Sequence, residues 1–298
     1  MRPELSQAIG LLRSNSPEAV EKAIGLLQNT VYSFSMKVCG HREDAEDTMQ
    51  EVLYRSLQHL ARIEEPRALA VWLYTVTRNR CWRMRGNVSQ RTKQVSLDEL
   101  MPDEGEMARL LRDPAPGPES KLLHSEQRDL LRKAVLRIPP QLRIVLVLHD
   151  MEDLSTEDVA QILNLQPGTV RVRLHRARLS VRKEIGKALS GAARKGKAGR
   201  NKGRRPKHNN GHREAACHEL FANLSEYLDG RVEARTCAEM SAHIDSCPTC
   251  VAFLRDLRTA IDRCRALKVD CNPAVIERLR ATLTQEYLHL AGDMPAGK

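Results

Sequence analysis

Apolar residues recur every three to four positions through most of this 298-residue chain, and no stretch alternates with the period of two that marks a half-buried strand. The pattern predicts an all-α protein. A first helical block runs from about residue 5 to 86, and periodicity then weakens from Gly86 to Ser120, where DPAPGPES is too rich in Pro and Gly to continue a helix. A second block covers about 121–190. The Gly-, Lys- and Arg-rich run after it has almost nothing to bury and reads as a disordered tether. The expected organisation is a helical domain over 1–90, a linker over 91–120, a second helical domain over 121–189, a basic tether over 190–214 and a small helical unit over 215–298.

Within the second block, LSTEDVAQILNLQPGTVRVRLHRARLSVRKEI reads as two helices joined by a tight turn. Ser155, with Asp158 three residues on, forms a helix-start box that satisfies free backbone N–H groups. Asn164 can take the left-handed turn conformation at low cost, and Pro167 suits the first turn of the next helix. Along that helix Val170, Leu174, Ala177, Val181 and Ile185 form one apolar stripe. Arg171, His175, Arg178 and Arg182 form a second stripe, with Arg173 and Arg176 beside it. A dense arginine face on the second helix of such a pair suits major-groove reading, because Arg serves both phosphates and guanine edges.

Charge sharpens the picture by subtraction. The net charge is +10, yet Lys187 to Arg213 alone holds ten Lys or Arg and no Asp or Glu, and the remainder balances at 38 against 38. DNA binding therefore rests on local faces, not on the overall charge.

The segment from Ile138 through GTVRVRLHRAR resembles region 4 of the extracytoplasmic-function (ECF) sigma factors of bacterial RNA polymerase. That resemblance implies contact with the promoter element near position −35. It departs from the family at the turn, where Asn164 stands for Gly and Pro is shifted to 167, so base preference does not transfer.

In the first block, HREDAEDTMQEVLYRSLQHL is amphipathic, with Ala45, Met49, Val52, Leu53 and Leu60 inward and Glu43, Asp44, Glu46, Asp47 and Glu51 outward. Some 25 residues later, Trp72, Tyr74 and Trp82 interleave with Arg78, Asn79, Arg80, Arg83 and Arg85, a composition suited to stacking on unpaired bases while gripping phosphates. A core role competes for Trp72. The two segments are similar to region 2 of the same family. The resemblance implies that Asp44, Glu46, Asp47, Gln50 and Glu51 dock on core RNA polymerase, and that Trp72, Asn79, Arg80 and Arg83 meet the melted −10 element.

The eight cysteines sit in a chain with neither an 18-residue apolar run nor a signal-peptide pattern at its start, so a cytoplasmic, reducing setting without a membrane span is expected, with thiols or metal ligands in place of disulfides. His243 and Cys247 lie one helical turn apart, Cys250 comes next in a CPTC turn, and Cys217 lies upstream. Three cysteines and one histidine make a closed tetrahedral set for structural Zn²⁺, with Cys237 and His218 as rivals for the fourth position. The spacing C-x25-H-x3-C-x2-C around LSEYLDG resembles the zinc-containing anti-sigma domain, which in that family occludes sigma regions 2 and 4. Here it is fused. A tether of about 25 residues spans roughly 25–30 Å and gives an effective concentration on the order of mM, so even a micromolar contact holds a closed form by about 4 kcal/mol.

The expected function is thus a sigma factor whose partners are core RNA polymerase, promoter DNA and its own C-terminal domain. The alternatives are a helix-turn-helix regulator or a zinc- or redox-sensing interaction module, neither acting through core polymerase. No paired carboxylates, nucleophile with base, or phosphate loop suggests an enzyme.

Overall fold

The computed structural model describes residues 3–14, 16–60, 63, 65–84, 100, 125–194, 217, 220 and 224–292. Among them every regular element is helical: α1 (Pro3–Ser14), α2 (Pro17–Cys39), α3 (Arg42–Leu60), α4 (Pro66–Met84), α5 (Ser125–Arg137), α6 (Pro140–Leu146), α7 (Thr156–Leu163), α8 (Pro167–Arg194), α9 (Ala234–Ser246), α10 (Pro248–Arg265) and α11 (Pro273–Gly292), with a π-helical turn at Val147–Met151. The expected 91–120 linker apart from Leu100, the tether beyond Arg194, Arg85 and His218 lie outside the described residues.

The chain divides into two compact units that do not follow sequence order. The first joins residues 1–92, 139–170 and 268–298. Its centre is α2, which starts cleanly because Ser16 accepts the Ala19 N–H at 3.3 Å and Pro17 occupies the first turn. It stops at Gly40, whose φ of 81° closes the end with an N–H bond to the Met36 carbonyl. From Thr30 to Cys39 every residue of α2 is buried, polar ones included, because α1, α3, α4, α6, the π turn and α11 all pack on it. The inward set expected on α3 (Ala45, Met49, Val52, Leu53 and Leu60) is buried.

At Val147–Met151 one extra residue enters the helical ladder, and Glu152 donates its N–H to the Val147 carbonyl at 2.9 Å. Such a turn rotates the downstream side chains by about one residue's angle. It carries Glu152 into the core, where it is 1% exposed. The cap on α7 forms as its sequence suggests, with Ser155 Oγ accepting from the Asp158 N–H at 3.0 Å, and Asn164 ends the helix at φ 52°.

The second unit joins residues 93–138 and 171–267. It contains α5, most of α8, the helical segment 224–228, α9 and α10. Its core gathers Leu179 of α8 with Leu220, Leu224, Met240, Ile244, Phe253, Leu257 and Ile261. The region read from the sequence as one unit over 215–298 therefore parts at Leu267, and α11 packs on α2 and α3 of the first unit. There Gln28 Nε2 donates to the Ile276 carbonyl at 3.3 Å, and Arg280 pairs with Glu21 at 3.1 Å.

Candidate nucleic-acid interface and metal centre

The helix α8 begins where Gln166 and Pro167 succeed the left-handed Asn164, so its first turn projects from a fixed corner. All five residues of the predicted apolar stripe are buried. The basic stripe divides. Arg171 is exposed and Arg173 and Arg176 are half-buried, as a reading face requires. His175 and Arg178, expected beside them, are buried at 8% and 1% exposure, as is Arg182. These three correct the expectation of one continuous basic face, because the middle of α8, from Leu174 to Arg182, is covered by packing except at Arg176.

The enclosure has a specific chemistry. Arg178 donates through Nη1 to Ser225 Oγ at 2.7 Å and through Nη1 and Nη2 to the two Asp229 carboxylate oxygens at 3.0 and 2.8 Å. This is a bidentate pair, the strongest neutral-pH match a guanidinium makes. One turn on, Arg182 pairs with Asp256 at 3.1 Å and lies 4.6 Å over the Phe253 ring. Ser225 and Asp229 belong to the LSEYLDG stretch, and Leu179 between the two arginines completes the hydrophobic core around the cysteines. His175 has no hydrogen-bond partner on either ring nitrogen. Burial, with Arg178 and Arg176 nearby, lowers its pKa from 6.5 to about 4.

On α3, Asp47 and Gln50 are exposed, and Asp44, Glu46 and Glu51 are half-buried. Tyr54, which the sequence pattern did not single out, is 61% exposed on the same helix. On α4, Asn79 and Arg83 are exposed, Trp82 is 37% exposed with the Arg78 guanidinium 4.8 Å over its ring, and Asn79 Oδ1 accepts from Arg78. Arg80 pairs with Glu51 at 2.6 Å, so two residues assigned to different partners neutralise each other here. Trp72 is half-buried beside His59, with ring centroids 5.3 Å apart. Tyr74 is 1% exposed and cannot stack on a base in this conformation.

The ligating atoms of Cys217, His243, Cys247 and Cys250 all lie within 4.8 Å of one another. The helix α9 carries His243 and ends at Cys247, and Pro248 starts α10 so that its first turn returns Cys250 to the histidine. His243 Nε2 stands 3.5 Å from Cys217 Sγ and 3.3 Å from Cys250 Sγ, and the two sulfurs are 3.6 Å apart. A tetrahedral zinc with bonds of about 2.3 Å to sulfur and 2.0 Å to nitrogen has edges of about 3.5 and 3.8 Å between its donors. The donor set and its spacing fit a closed four-coordinate ion. Cys237, on α9, is outside the group. Burial, with the Cys217 and Cys247 thiols beside it, pushes the Cys250 thiol up. At Cys247 burial also acts upward, but hydrogen bonds from Cys250 and Cys217 outweigh it and leave the thiol lowered.

Comparison with known proteins agrees with this anatomy. Residues 24–88 match the family described as "Sigma-70 region 2", residues 128–181 match "Sigma-70, region 4", and residues 217–250 match "Putative zinc-finger". The chain thus matches both sigma-70 regions, 2 and 4, in that order. It is similar to the ECF RNA polymerase sigma factor SigW of Bacillus subtilis, 24% identical over 62% of this chain and 98% of that protein. It is also similar to the ECF sigma factor SigE of Mycolicibacterium smegmatis, 30% identical over 55% of this chain and 60% of that protein. A solved structure of the sigma factor RpoE with the anti-sigma factor NepR from Bartonella quintana shares 23% identity, covering 54% of this chain and 92% of that one, at a TM-score of 0.39. The chain is thus similar to ECF sigma factors along its two sigma regions and carries a zinc-finger-like segment behind them. No helix among the described residues is long and apolar enough to cross a membrane.

Proposed function

We propose that this sigma factor brings core RNA polymerase to promoters and is restrained by its own C-terminal residues until the metal centre is dismantled. In this reading Asp44, Glu46, Asp47, Gln50 and Glu51 dock on polymerase, Trp72, Asn79, Arg80 and Arg83 engage the opened −10 strand, and Arg171, Arg173 and Arg176 meet the −35 duplex. His175 and Arg178 join the DNA face only after release. Zinc, held by Cys217, His243, Cys247 and Cys250, acts structurally: four protein donors leave no position for a reacting water. The setting is the cytoplasm, where the thiols stay reduced.

The observation that carries this reading is the sequestration of Arg178, 1% exposed and gripped by Ser225 and Asp229. The same contacts that build the zinc module's core consume Leu179, Arg178 and Arg182 of the reading helix. A zinc site of this kind is worth on the order of 10–16 kcal/mol of folding free energy, so its loss is enough to undo the grip. The test is run-off transcription by the full chain with purified core polymerase, with and without a zinc chelator. Transcript yield should rise several-fold on chelation. Equal yields would sink self-restraint, and no transcript in either state would sink promoter direction by this chain.

A further inference from the structure

Among the charges buried in the first unit, away from every reading face, is a pair that joins distant parts of the chain. Lys37, near the end of α2, places Nζ 2.8 Å from Glu152 Oε1, with both side chains fully excluded from solvent. Tyr74, on α4, donates its hydroxyl to Glu152 Oε2 at 2.8 Å, and its ring packs on Phe34 of α2 with centroids 4.9 Å apart. Lys37 and Tyr74 belong to region 2, and Glu152 belongs to region 4. At the rim of the same contact, Arg67 of α4 pairs with Asp158 of α7 at 2.7 Å.

We infer that Lys37, Glu152 and Tyr74 form a latch that shuts sigma region 2 onto region 4, and that opening it is a step separate from releasing the zinc module. The inference rests on the promoter reading above for its consequence and on geometry for its existence. A compact unit of about 155 residues spans roughly 40 Å. The −10 and −35 elements lie about 25 base pairs apart, or roughly 85 Å at about 3.4 Å per base pair. The start of the reading helix, Pro167 to Val170, is inside the same unit as α4. With the latch closed the two readers cannot reach both elements at once.

A buried ion pair suits a switch better than a glue. Its desolvation cost nearly cancels its attraction when intact, but removing one partner leaves a buried charge without its counter-ion. The contact therefore holds fully or parts into water, with little between. The metal ligands are all in the second unit, so dismantling the zinc site frees α8 and leaves Lys37 and Glu152 paired. Release then has two conditions: loss of the zinc module's grip, and displacement of region 4 by polymerase or DNA.

The experiment uses the full chain with Lys37→Met, Glu152→Gln and the double variant Lys37→Met/Glu152→Gln, which removes both charges and keeps an acceptor for Tyr74. Small-angle scattering reads separation, hydrogen exchange reads residues 31–38 and 147–154, and circular dichroism reads helix content. Each single variant should open, with amide protection in both segments falling on the order of 100-fold, helix content retained and the radius of gyration increased. The double variant should return toward the closed values. Unchanged scattering and exchange in the single variants would overturn the latch, as would loss of helix content in all three. Opening without any gain in run-off transcript even after zinc chelation would keep the latch and count against promoter direction.

Discussion

His175 shows how far one residue's role depends on its surroundings. Its place among arginines on a reading helix suggests a DNA contact, yet it is buried with both ring nitrogens unpartnered and its pKa is lowered to about 4. The unfolded chain binds a proton near pH 6.5, and the folded protein resists it until about pH 4. Below 6.5 the unfolded state therefore holds more protons, and stability falls as pH drops through that window. The loss is about 3 kcal/mol by pH 4, on the order of 1.4 kcal/mol per pH unit. Urea unfolding of wild type and His175→Leu between pH 7 and 4 should show that slope reduced in the variant; parallel curves would remove His175 from the account. The cysteine and histidine cluster is the opposite case: His243, Cys247 and Cys250 were legible from spacing because two short turns of helix bring them together, while Cys217 prevails over Cys237 in the group only through the fold.

At the scale of elements, α8 behaves as two helices in one. Its first turns carry Arg171, Arg173 and Arg176 on accessible positions, and its middle is covered where Arg178 meets Ser225 and Asp229 and Arg182 meets Asp256 and Phe253. Asp229→Asn leaves the Arg178 charge buried with a weaker partner. It should cost about 2–4 kcal/mol in the unfolding of the zinc-binding unit. Amide exchange over 174–182 should rise in proportion, and an unchanged profile would mean the pair contributes little. The apolar stripe of α8 and the cap of α7 were readable from the sequence because both arise from periods of three to four residues. The π turn was not. One inserted residue leaves the composition of VLHDM unremarkable, yet it turns Glu152 into the core.

For the whole molecule, the C-terminal residues pack against both sigma regions by separate elements, the arrangement on which the proposed self-restraint rests. The segment containing the cysteine and histidine cluster packs on α8 within the second unit, and α11 lies on α2 and α3, the helix with the proposed docking residues, within the first. Truncation after Leu267 should raise affinity for core polymerase several-fold, as read by native gel shift, while one equivalent of zinc is retained. Unaltered affinity would show that α11 leaves the docking face free.

The sequence by itself determined the helical elements, the order of regions 2 and 4, and the local His243, Cys247 and Cys250 cluster, whereas Cys217 was joined to it only by folding. Each rests on contacts between residues a few turns apart. Only the tertiary structure decided which charges face water. Arg178 meets Asp229 51 residues away, Lys37 meets Glu152 115 away, and Gln28 meets Ile276 248 away. A helical period fixes which residues share a face. It does not say what that face will meet, so a stripe of arginine reads as a DNA surface until a distant carboxylate is found against it.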